Sequence, residues 1–136
     1  VSPPAQAAWQ WSGPCDGWRY GETLTHDTPV AVRQRRMRRL IRCIFDRFAP
    51  AEASFAVVIA ERESSLYPWA YNRATDCRGL FQHLGRYWPG RVEAYLERDW
   101  YRRDKWPELS AFNPHANAIA AAKMVRASGW GAWSTA

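Results

Sequence analysis

Two short elements of this sequence carry groups suited to acid–base chemistry. The first is Glu61-Arg62-Glu63-Ser64-Ser65, which ends an apolar stretch of Phe55, Ala56, Val57, Val58, Ile59 and Ala60. The second is the tetrad Gly79-Leu80-Phe81-Gln82. Apolar surroundings disfavour a carboxylate, so a glutamate at the edge of such a helix keeps its proton near neutral pH and is suited to act as a general acid. On a helical wheel Glu63 lies about 40° from Ile59, whereas Glu61 lies about 160° from Glu63, so the two cannot share a site. Glu63 is the candidate proton donor and Glu61 reads as an ordinary surface residue. Gly79 allows close backbone approach, and Gln82 both donates and accepts hydrogen bonds. Asp76 is the acidic candidate in the loop between Glu63 and Gln82. Tyr87, Trp88 and Trp69 offer flat faces to a ligand, although core packing is the commoner fate of such side chains.

The elements that must position these groups read as all-α. From Pro29 on, Met37, Leu40, Ile41, Ile44, Phe45 and Phe48 recur at helical spacing, with Arg33, Arg35, Arg36, Arg38, Arg39 and Arg42 around much of the rest. This predicts an amphipathic helix of about five turns. Pro50 marks the start of a second helix, apolar nearly all round and so expected to be central and buried. Residues 66–78 read as loop, residues 91–101 as helix, and Trp106-Pro107 as a turn. A last helix is predicted from Pro114 to about Ser128, with Asn113 as its cap and Gly129 as its stop. Residues 1–28, with Pro3, Pro4, Gly13, Pro14, Gly17 and Gly21, read as an irregular arm carrying Trp9, Trp11 and Trp18. Residues 29–136 form one domain.

Composition narrows the class. The 136 residues include 19 basic and 13 acidic side chains, a formal charge of +6, which favours association with polyanions or an acidic wall. No run of about 18 apolar residues is present to predict a membrane span. Cys15, Cys43 and Cys77 form no Cys-x-x-Cys or Cys/His cluster, and His26, His83 and His115 are scattered, so neither a metal nor a cofactor is expected. Three cysteines permit one disulfide. A Cys43–Cys77 bridge would tie the first core helix to the loop before Gly79 in an oxidising compartment; in a reducing one all three stay free.

Taken together, Glu63-Ser64, Gly79-Leu80-Phe81-Gln82, and Asn113-Pro114-His115-Ala116-Asn117 followed by Ala120 to Met124 resemble the lysozyme-like superfamily, in its soluble lytic transglycosylase and goose-type lysozyme branch. The ending Gly129-Trp130-Gly131-Ala132-Trp133-Ser134 is similar to the Gly-Trp-x-x-Trp-Ser ending of actinobacterial and phage forms. The resemblance spans about residues 35–136 and leaves the arm unexplained. It implies a small, mostly helical fold that binds peptidoglycan glycan strands as a monomer and cuts the β-1,4 bond between N-acetylmuramic acid and N-acetylglucosamine. It also implies a secreted, wall-associated or phage-borne protein.

Under this resemblance Glu63 acts first as acid and then as base toward the muramic acid 6-hydroxyl, closing a 1,6-anhydro ring without a second carboxylate. Asp76 would matter only in a hydrolytic enzyme that activates water. Ser64, Gly79, Phe81, Gln82, Tyr87, Trp88 and Asn117 become substrate-binding candidates, Phe81 standing where relatives often carry Met. One departure is clear: many transglycosylases place a late tyrosine on the catalytic carboxyl, and this chain has no tyrosine after Tyr101. That keeps open a wall-binding module that lost its chemistry. A basic nucleic-acid binder using residues 33–42 explains the charge but leaves the Glu-Ser and Gly-Leu-Phe-Gln elements without a purpose, so no nucleic-acid partner is expected.

Overall fold

The computed structural model describes residue 15 and residues 24–96 and 110–133, and these form a mostly helical fold with a small sheet. Helix α1 (Val30–Phe48) turns Met37, Leu40, Ile41, Ile44 and Phe45 inward, following its apolar spacing. A 3₁₀ turn at Pro50–Glu52 leads into α2 (Ala53–Ser64), and α3 (Trp88–Tyr95) and α4 (Pro114–Ser128) follow. The chain then closes with a 3₁₀ turn at Gly131–Trp133. Helix α1 packs against both α2 and α4, and α3 packs on α4.

The central helix is α4, not α2. Every residue from Pro114 to Lys123 is buried. Its core is built of Ala116, Ala118, Ala120, Ala121 and Ala122, whose small side chains let neighbouring helices approach closely. By contrast α2 packs on one face only: Ala56, Val57, Ile59 and Ala60 are buried, while Phe55 and Val58 are 47% and 54% exposed. The expectation of an all-round buried α2 is thus corrected. Its apolar sequence covers α1 on one side and leaves Phe55 against the edge of Trp130 on the other.

The loop region also holds a sheet that sequence periodicity did not announce. Strands β1 (Tyr71–Asn72), β2 (Cys77–Arg78) and β3 (His83–Leu84) pair antiparallel in the order β1-β2-β3. Tyr71 faces Arg78 and Asn72 faces Cys77, while Arg78 also faces His83. Two residues per strand are too few to display alternation. Helix α3 starts at Trp88 rather than at Arg91, and the expected turn at Trp106-Pro107 lies outside the described residues, as do Trp9, Trp11 and Trp18.

The disulfide joins Cys15 to Cys43, and Cys77 is a free thiol, so the Cys43–Cys77 pairing is corrected. Cys43 lies on the exposed side of α1, where it meets the arm, whereas Cys77 is held in the middle strand. At the near end of the arm Leu24 is buried and the His26 ring lies tilted against Trp69, with ring centroids 4.1 Å apart. No helix among the described residues is long and apolar enough to cross a membrane.

The turn after α2 is held from α1. Ser65 and Leu66 both adopt left-handed backbone, with φ of 54° and 58°. Such a conformation is costly for residues with a side chain. Arg33 secures it by donating to the carbonyls of Leu66 and Ser65 at 3.1 and 2.9 Å, and Gln34 adds a 3.3 Å bond to Ser65. One arginine of the basic stripe therefore serves the fold.

Candidate active site

Glu63 sits in the last turn of α2 with its side chain 23% exposed. Its Oε2 lies 3.5 Å from Nη2 of Arg62, and that same nitrogen donates to the carbonyl of Trp133 at 3.1 Å. Glu61 points the other way and pairs with Arg38 of α1 at 2.8 Å. The two glutamates thus have separate surroundings.

The next residue, Ser64, joins α2 to the Gly-Leu-Phe-Gln turn. Its buried hydroxyl lies 2.8 Å from the Leu80 carbonyl and 3.0 Å from that of Ala60, sharing its proton between them. On the far side of the turn the indole N–H of Trp133 donates to the Phe81 carbonyl at 2.8 Å. From α4, Asn117 accepts the Phe81 N–H at 2.9 Å and donates to the carbonyls of Arg78 and Ala111 at 3.1 and 2.8 Å. Gly79 passes directly against Asn117 and the Ala111 carbonyl at φ 78°, where a Cβ would overlap both. Gln82, at φ 52°, folds its amide back to the carbonyls of Gly79 and Ala70 at 2.9 and 3.2 Å.

These placements divide the candidates. Phe81 is fully buried between Phe45 and Trp133, and Trp88 is buried against His83, so both are core. Asn117 is fully buried with its amide committed to three backbone partners, and it shapes the turn from beneath. Ser64 and Gly79 likewise act on the backbone. Tyr87 presents a 48% exposed ring, and Gln82 is partly exposed.

Asp76 sits in the turn between β1 and β2, held by residues of both strands. Its Oδ1 accepts from Arg78 at 3.0 Å and from the Tyr71 hydroxyl at 3.0 Å. The Arg78 hydrogen bonds, then that of Tyr71, hold its carboxyl below the usual range. The same contact with Asp76 raises the Tyr71 hydroxyl. A carboxylate so held is a weak proton acceptor.

Beneath the turn, burial pushes His83 down to about 3, so it is neutral. Its Nδ1 lies 2.8 Å from Nη1 of Arg91, and its Nε2 lies 3.0 Å from the Asn117 carbonyl. Guanidinium only donates, so Nδ1 is the acceptor and Nε2 carries the proton. His115 is also buried and pushed down to about 3. No group of three or more metal-binding side chains occurs among the described residues.

Compared with known proteins, the chain matches no family model, no curated protein and no solved structure. Sequence reasoning missed Arg33, Arg62, His83 and Arg91 as parts of this assembly. Arg33 is one of many arginines on its helix, and Arg62 and Arg91 act through contacts that no local pattern encodes. Trp133 did carry a signal, in the closing Gly-Trp-x-x-Trp stretch.

Proposed function

We propose that this protein cleaves peptidoglycan glycan strands as a lytic transglycosylase of lysozyme-like architecture, with Glu63 as its one catalytic acid and base. The observation that carries the reading is the Ser64–Leu80 hydrogen bond, which brings the Glu63 helix end against the Gly79-to-Gln82 turn. The family pattern requires these two elements to act together, and nothing in an ordinary surface glutamate requires a buried tie between them.

In this scheme the Glu63 carboxyl gives its proton to the glycosidic oxygen as the bond to the muramic acid C1 breaks, with charge spread as an oxocarbenium-like state. The resulting Glu63 carboxylate then takes the proton of the C6 hydroxyl, and O6 bonds to C1 to close the 1,6-anhydro ring. Glu63 ends protonated, ready for the next bond. The commitment of Asp76 to Arg78 and Tyr71 favours this intramolecular route over water activation by a second carboxylate.

Digestion of purified sacculi followed by mass spectrometry of the released muropeptides tests the reading. Wild-type protein should release fragments lighter by one water than hydrolysis products, and Glu63→Gln should release none while keeping its fold. Wild-type protein that releases nothing, or a Glu63→Gln variant that retains activity, would reject it.

A further inference from the structure

Two guanidinium groups flank the exposed ring of Tyr87: Arg86 lies 4.9 Å and Arg91 5.5 Å from its centroid. Arg86 also approaches the Tyr87 hydroxyl at 3.4 Å. The ion pairs among the described residues are Arg38–Glu61, Arg62–Glu63 and Arg78–Asp76, so neither Arg86 nor Arg91 has a carboxylate partner there. Arg91 is partly buried, and burial lowers its hold on its proton, opposed by Tyr95, Tyr87 and Cys77. What positions it is an uncharged acceptor, His83 Nδ1, which holds one arm of the fork without offsetting its charge.

Among the described residues no carboxylate offsets this half-buried cation, and a ligand that supplies one would stabilise it. Through His83 and the Asn117 carbonyl, Arg91 is also linked to the residue that braces the Gly79-to-Gln82 turn. We propose that Arg86, Tyr87 and Arg91 form an anion subsite. It receives a carboxylate of the peptide stems borne by the glycan strand, with the Tyr87 ring packing against the stem. This rests on the cleavage reading above and adds which strands the site prefers. A planar guanidinium fork matches a carboxylate in two-point contact, and an exposed aromatic face suits a peptide chain beside it.

The test uses the Glu63→Gln protein, so that strands are bound and not cut. Its affinity is measured for short glycan fragments carrying peptide stems and for the same fragments after the stems are removed. Stem-bearing fragments should bind about tenfold tighter, and Arg86→Gln or Arg91→Gln should bring the two affinities together. Arg91→Lys, which keeps the charge and loses the fork, should retain part of the difference. Arg86 is exposed, so Arg86→Gln reports even where Arg91→Gln disturbs folding. Equal binding of both fragments by the parent, or a difference untouched by Arg86→Gln, would overturn the subsite alone. Stronger binding of a phosphate-bearing wall polymer than of stem-bearing fragments would overturn it too. Failure of both fragments to bind would remove the subsite and the cleavage reading together.

Discussion

The hydroxyl of Ser64 donates to the carbonyl of Leu80 at 2.8 Å, in a buried contact between residues sixteen apart in sequence. The bond fixes the end of α2 against the turn that begins at Gly79. With Trp133 holding the Phe81 carbonyl and Asn117 the Phe81 N–H, three side chains from three parts of the chain clamp two consecutive residues of that turn. The helix end that carries Glu63 is therefore tied to a backbone whose shape is over-determined, which would suit the proposed site, where a substrate must be held in one geometry.

Ser64→Ala removes the donor while leaving the Leu80 carbonyl buried. The expected loss is about 1–2 kcal/mol of stability, read as a lower urea midpoint. Activity on sacculi should fall further than the folded fraction does, because the Glu63 helix end loses its register with the turn. An unchanged midpoint with unchanged activity would mean that this bond holds nothing in place.

At Gly79 the backbone has φ 78°, and a Cβ would overlap the Ala111 carbonyl and the Asn117 amide. Both obstacles are fixed, one as backbone and one as a fully hydrogen-bonded buried side chain. Gly79→Ala should cost about 2–4 kcal/mol from strained backbone and overpacking together. Thermal unfolding measures it, and a variant as stable as wild type would show that the turn relaxes freely.

How much of this was legible in the sequence depended on whether the signal was local. Helix α1 announced itself through long apolar spacing, and α4 through the Asn113 cap, which accepts from the N–H groups of His115 and Ala116, and through Gly129 at its end. That α4 is the centre of the fold was hidden, because alanine reads as weakly apolar and its importance lies in letting neighbours approach. The strands were too short for a period. Tyr87 and Trp88 are adjacent aromatics with opposite fates, one exposed and one core, and only packing separates them. The same holds for the disulfide, since Cys15 lies in a Pro- and Gly-rich stretch whose path no pattern gives.

Stability should fall on acidification from neutral pH. His83 and His115 are held neutral, pushed from 6.5 down to about 3, by burial in both cases. Between those values the unfolded chain binds protons that the folded one excludes, so the stabilisation is complete above pH 6.5 and is lost progressively as pH falls toward 3. Each histidine contributes a slope of up to about 1.4 kcal/mol per pH unit in that window. Urea midpoints between pH 7.5 and 5 test this. A flat profile would require the two imidazoles to ionise in place.

Under the proposed cleavage, Asp76 separates the two routes for breaking the glycoside. If it activated water, Asp76→Asn would cost on the order of a hundredfold in rate, because amide cannot accept the proton. The carboxylate is instead occupied by Arg78 and Tyr71, whose bonds lower its affinity for a proton. The expected outcome is that Asp76→Asn stays within a few-fold of wild-type rate. Digestion in water labelled with heavy oxygen checks the same point on the product, since ring closure by O6 brings no solvent oxygen to C1. Muropeptides free of label from both wild type and Asp76→Asn are predicted. Label at the muramic acid C1 would assign the protein to hydrolysis and return Asp76 to the reaction.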